Sequence, residues 1–102
     1  MKIDLKIEVE GRLIRVYSYH SISDPQDDNI DIFVDTGGDV YGGTIYTVEN
    51  TRTLMNKPGM PFYFHDRHGV VVEALDNETL EKAFRELILE NDIERIFCRQ
   101  IA

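Results

Sequence analysis

The stretch Lys2-Ile3-Asp4-Leu5-Lys6-Ile7-Glu8-Val9 alternates a charged with an aliphatic side chain at every position. Successive side chains of a strand point to opposite faces, so this period of two predicts a β-strand with one wet and one buried face. Gly11 follows and allows a tight reversal. Residues 12–19 (RLIRVYSY) are rich in β-branched and aromatic types and read as the partner strand. A chain that opens in this way has to build a sheet and cover one side of it. With 102 residues, of which 42% are hydrophobic, it has the material for one core. The expectation is a single domain over residues 1–102.

The rest of the pattern extends the sheet and then adds helices. His20 to Asn29 holds Ser21, Ser23, Asp24-Pro25 and Asp27-Asp28-Asn29, which is loop chemistry. Ile30 to Asp35 resumes as a strand, Thr36-Gly37-Gly38-Asp39 predicts a hairpin turn, and Val40 to Thr47 returns as the next strand. Gly42-Gly43 inside that strand suggests a bulge or a close backbone approach. Thr47 can cap a short helix over about 48–57, ended by Pro58-Gly59, with Leu54 and Met55 toward the core.

Phe62 to His65 and Val70 to Glu73 read as a second hairpin across Asp66-Arg67-His68-Gly69. Asp76 or Asn77 caps the best helix, in which Leu80, Ala83, Phe84, Leu87 and Ile88 fall at i, i+3, i+4, i+7 and i+8. Glu78–Lys82 and Glu81–Arg85 make i,i+4 pairs on its outer side, and Asn91 can close it. Ile93 to Ile101 alternates loosely as a last strand. The expected fold class is α+β: a mostly antiparallel sheet of about six to seven strands, with one short and one long helix packed on one face.

Over the carboxy-terminal half the chain resembles a set of small uncharacterised bacterial proteins. The matching positions are Tyr46-Thr47, Asn50, Leu54-Met55, Tyr63-Phe64, Val71-Val72-Glu73, Glu78-Thr79, Leu87-Ile88 and Ile96-Phe97. The resemblance implies a short Asn-containing helix, an aromatic hairpin and an acid-rich amphipathic helix, and it implies no activity. At the hairpin tip this sequence has His65-Asp66-Arg67-His68 where the similar proteins have a plain aromatic tip.

Charge decides which partners to expect. The net charge is −8, and between Asp24 and Asp39 there are six aspartates and no basic residue. Such a surface repels nucleic-acid phosphates and anionic lipid, so neither direct nucleic-acid binding nor membrane binding is expected. A basic protein is the partner it would steer. The docking residues expected are Asp24, Asp27, Asp28, Asp31, Asp35 and Asp39, with Tyr41 beside them as an apolar anchor. Tyr17 and Tyr19 share one face of their strand, and Tyr46 lies near the glycine pair. The competing reading puts these rings in the core.

A calcium loop fails at two places. With Asp27 at position 1, position 6 is Ile32 where glycine is needed, and position 12 is Gly38 where glutamate is needed. An irregular cation site from Asp24, Asp27 and Asp28 is the remaining form of that idea. The tip invites a metal reading, because His65, Asp66 and His68 are ligand types within four positions. His65-Asp66 echoes metal-dependent phosphohydrolases and Arg67-His68-Gly69 echoes histidine phosphatases, but each motif needs a scaffold that this chain does not spell out. A polar turn is the preferred reading, with no metal and no cofactor. Cys98 is the lone cysteine, which rules out an intramolecular disulfide, and it reads as a buried thiol.

No apolar block of signal-peptide or membrane-span length occurs, so a cytoplasmic protein is expected. The function expected is a small acidic, non-enzymatic interaction module, of the inhibitor, immunity or anti-defence type. The alternatives are a metal-dependent hydrolase or small-ligand binder using His65, Asp66 and His68, and a homo-oligomer pairing through an exposed edge strand.

Overall fold

In the computed structural model, which describes residues 1–59 and 62–101, Glu10 and Gly11 both take positive φ, 52° and 78°. They turn β1 (Lys2–Val9) directly into β2 (Arg12–Ser21), with Val9 opposite Arg12. Positive φ at both central residues matches the twist of the flanking strands. β3 (Asn29–Asp35) pairs antiparallel with β2, and β4 (Val40–Thr47) with β3. The hairpin between them closes where Thr36 N–H donates to the Asp39 carbonyl at 2.9 Å, with Gly37 at φ 92°.

Thr47 then ends β4 and starts α1 (Val48–Met55). Its Oγ1 accepts from Asn50 N–H at 3.0 Å, which satisfies one of the free donors of the helix start. Thr47 is fully buried, while Leu54 and Met55 are half-buried and lie outside the core cluster.

The outer edge of β4 is shared by two strands. β5 (Gly69–Val72) runs parallel along Thr44–Thr47, and β6 (Cys98–Arg99) runs antiparallel along Tyr41–Gly42. Among the described residues the sheet therefore has six strands in an α+β fold, antiparallel except for the β4–β5 pair.

The expected hairpin of Phe62–His65 with Val70–Glu73 does not form. The edge of β4 takes β5, and Phe62 to Asp66 is irregular chain leading back to the sheet. Asp66 organises that return, accepting from His68 N–H at 2.9 Å, while Phe64 sets its ring edge-on against Tyr46.

The expected last strand is also replaced. Ile93, Ile96 and Phe97 stand at helical spacing, and α3 (Ile93–Ile96) precedes the two-residue β6. Phe97 is buried and stacks on Phe84 of α2 (Asn77–Leu89), with centroids 6.0 Å apart. Cys98, expected inside, is exposed.

Burial follows the alternation. Ile3, Leu5, Ile7 and Val9 are at most 9% exposed, and Ile14, Val16, Ile30, Ile32, Val34 and Ile45 join them. The same cluster holds Leu80, Phe84 and Ile88 of α2. Asp76 caps that helix by accepting from Thr79 N–H at 2.7 Å, which holds its carboxyl below the ordinary value. Asn91, at φ 56°, follows the helix end. Burying a ring such as that of Phe84 contributes about 1.5–3 kcal/mol. Among the described residues no helix is long and apolar enough to cross a membrane.

Gly42 and Gly43 keep the β3–β4 ladder in unbroken register, opposite Phe33 and Ile32, so no bulge occurs there. The close approach is real. A Cβ on Gly43 would strike the Phe97 ring and the His68 carbonyl, and one on Gly42 would meet the flexible end of Gln100 at 2.6 Å. Gly43→Ala is therefore expected to lower unfolding free energy by roughly 1–3 kcal/mol. Gly42→Ala is expected to cost clearly less, because Gln100 can move aside. Equal losses for the two variants in urea titration would contradict this account.

Candidate interaction surface

The residues that alternate with the core row form the other face of the sheet. On β2 these are Leu13, Arg15, Tyr17 and Tyr19, and on β3 they are Asp31, Phe33 and Asp35. Tyr17 stands opposite Phe33, and Arg15 opposite Asp35. The rings of Tyr17, Tyr19 and Phe33 form one cluster, with centroid distances of 5.8, 5.6 and 5.0 Å. Tyr19 is 63% exposed and Leu13 61%, so apolar area on this face meets water. Arg15 lies 4.6 Å from the Tyr17 centroid and pairs with Asp4 at 3.3 Å. Burial among the rings, and then the neighbouring Tyr19 hydroxyl, push the Tyr17 phenol above its ordinary value.

The six aspartates do not make one cluster. Asp31 and Asp35 flank Phe33 on this face. Asp31 accepts from Thr44 Oγ1 at 2.8 Å and Asp35 from Gly37 N–H at 2.8 Å. Asp24, Asp27 and Asp28 lie in the loop before β3 and tie it down. Asp24 accepts from Gln26 N–H, while Asp27 accepts from Asn50 Nδ2 and Thr53 Oγ1. Asp28 accepts from the Ser23 and Asn29 N–H groups. Asp39 sits at the β3–β4 turn and pairs with Arg99 at 3.0 Å. These carboxylates replace solvent with protein donors, so much of the acidity between Asp24 and Asp39 holds loops and turns in shape. Tyr41 lies in the core at 7% exposure, which takes its ring away from any docking surface. Burial, and then Glu94, push its phenol upward.

The His65–His68 turn comes to rest beside this face. A groove over Gly42 and Gly43 is lined by Asp31, Phe33, Thr44, Asp66, His68 and Gln100. Asp66 accepts from Tyr46 Oη at 2.5 Å as well as from His68 N–H, so both of its oxygens are engaged. His68 Nδ1 lies 2.8 Å from the Ile96 carbonyl, and His65 is exposed. Among the described residues no three His, Cys, Asp or Glu side chains stand close enough to hold a metal ion, either at this turn or at Asp24, Asp27 and Asp28. The turn thus ties β5 to β4 and to the residue before Phe97.

Phe33 is the residue that pattern reading passed over. An aromatic in the wet row of Asp31-Ile32-Phe33-Val34-Asp35 was the available signal, because a lone charged–apolar alternation would have put a polar residue there. No family model matches the chain, and no curated protein or solved structure does.

Burial, followed by the hydrogen bond to Asp66, pushes the Tyr46 phenol up to about 12 from an ordinary value of 10.0. A folded-state value above the unfolded one means the protonated form is favoured by folding. That contribution is complete below the unfolded value and is lost as pH climbs through the folded one. Stability should therefore fall across the window from 10.0 to about 12, and Tyr46→Phe should flatten that fall. Denaturant midpoints measured through this window check the prediction, and an unchanged slope in Tyr46→Phe would refute it.

Proposed function

We propose that this protein is a non-enzymatic interaction module that docks the Tyr17–Tyr19–Phe33 face of its sheet on a basic protein. The observation that carries the reading is a cluster of partly exposed rings with Asp31 and Asp35 on either side of Phe33. Aromatic rings supply desolvated anchors, and flanking carboxylates supply steering and register toward a positively charged partner. In this reading the helices cover the opposite face, with Leu80, Phe84 and Ile88 against the β1 aliphatics, and the ring face stays free. The net charge of −8 supports a protein partner over nucleic acid or anionic lipid.

The exposed, unpaired Cys98 supports a reducing compartment, so we place the protein in the cytoplasm. An inhibitor, immunity or anti-defence role fits a small acidic module, by analogy of surface. A hydrolase centred on His65, Asp66 and His68 has less support, because the Asp66 oxygens and His68 Nδ1 already have protein partners.

The test is capture from the native host with three baits: the wild type, Tyr19→Ala, and the double variant Asp31→Lys/Asp35→Lys. A basic protein retained by the wild type, lost on both variants and weakened by added salt is the expected result. Association of the charge-reversed bait should slow by about tenfold or more. Equal retention on all three folded baits would sink the reading.

A further inference from the structure

We infer that the free edge of β1 is a self-association surface, and that its occupant is a second copy of this chain pairing antiparallel through β1. Among the described residues β1 ends the strand order and has β2 as its only neighbour in the sheet. The two-residue turn closes on the Val9–Arg12 pair, which is the hydrogen-bonded kind, and such pairs alternate along an antiparallel ladder. Leu5, Ile7 and Val9 therefore turn their backbone groups toward β2, and Asp4, Lys6 and Glu8 turn theirs outward. Two observations agree. Arg85 of α2 reaches the edge and donates to the Glu8 carbonyl at 2.9 Å. The Ile3 N–H and the Met1 carbonyl bond inward, to Ser18 Oγ and Ile22 N–H, which leaves Lys2 in the outward set. Among the described residues the outward groups of Lys2, Asp4 and Lys6 have no partner beyond the strand.

An edge of this kind is a template for another strand, and its charges select which one. A strand with Leu5 on a two-fold axis sets Lys2 opposite Glu8 of the second copy and Asp4 opposite Lys6. Ile3 then faces Ile7. Every charged residue of the strand meets its opposite, and every outward backbone group meets an outward one. A shift of two residues one way sets Asp4 against itself and Lys2 against Lys6. The same shift the other way sets Lys6 against itself and Asp4 against Glu8. Odd shifts would put the aliphatic row opposite the charged row. One long register is attractive and its neighbours are repulsive, which is the condition for a closed, isologous pair that does not grow into fibres. The axis stands perpendicular to the sheet, so the two buried faces continue into one another. Arg85 must release the Glu8 carbonyl to Lys2 N–H of the second copy.

Light scattering coupled to size-exclusion chromatography, run over a concentration series, tests this with Glu8→Lys, Lys2→Glu and the double swap. Neither side chain makes an ion pair within the described chain, so the singles leave internal contacts intact. The wild type should reach twice the chain mass of 11.8 kDa. Each single variant turns two attractive pairs into like pairs and should weaken association by about tenfold. The double swap should restore it. A wild type that stays at one chain mass overturns the proposal, and so does a dimer that either single variant leaves intact or that the swap fails to rescue. These variants leave Tyr17, Tyr19, Phe33, Asp31 and Asp35 in place, and light scattering reads the purified chain with no other protein present. Its outcome is therefore read separately from the docking test, although Lys2 borders Tyr17 and Tyr19.

Discussion

The close approach at Gly43 is the contact on which the rest of the structure depends. β4 is the strand that meets three others: β3 on one side, with β5 and β6 sharing the other. Its outer edge can be shared only if the chain bringing β5 in and the residue leading into β6 both come right up to the backbone. The His68 carbonyl and the Phe97 ring do so at Gly43, in space that any Cβ would occupy. Phe97 in turn stacks on Phe84, so the missing side chain couples the sheet to α2. Thr44 N–H donates to the His68 carbonyl at 3.1 Å and starts the parallel ladder from the same place. Glycine in a strand costs backbone entropy, and here that cost is offset by a three-way junction no larger residue would permit.

Polar side chains do a second share of the assembly. Thr47, Asn50, Asp27 and Asp28 join the loop before β3 to the start of α1, and Leu75 N–H closes on the Pro25 carbonyl at 2.8 Å. Buried polar groups are costly when unpaired, and among the described residues every buried side-chain donor or acceptor has a partner. The acidity that looks like one docking face in the sequence is thereby divided. Some of it holds the loop, Asp39 holds Arg99, and Asp31 and Asp35 stay beside the exposed rings. The division also accounts for the turn at His65 to His68, whose aspartate is committed to Tyr46 and to its own loop.

Much of this was legible locally. The alternation in β1, the turn at Gly11, the Thr36–Asp39 hairpin, the Thr47 and Asp76 caps and the apolar stripe of α2 are each set within a few residues. The two misread elements share a cause. Val70-Val71-Val72 has the composition of a strand whichever neighbour it takes, and a local hairpin is the cheaper closure. Its actual partner lies about 25 positions earlier, across α1. Ile93, Ile96 and Phe97 fit a short helical turn as well as a loose alternation, and burial of Phe97 against Phe84 selects the helix.

The sequence by itself determined β1 to β4, α1 and α2, because periodicity, capping and turn chemistry act over a few bonds and have few competitors. It also determined the self-complementary order of charges along β1, which is a property of the string. Only the tertiary structure decided that β5 is parallel, that Tyr41 goes inside while Tyr19 stays out, and that Phe33 joins the tyrosines. Only the fold, too, left β1 at an edge where its charges face open space. The physical reason is that these outcomes turn on differences between alternative long-range pairings. Each alternative buries similar area and forms similar hydrogen bonds, and the choice falls to the few places, such as Gly43, where only one of them fits.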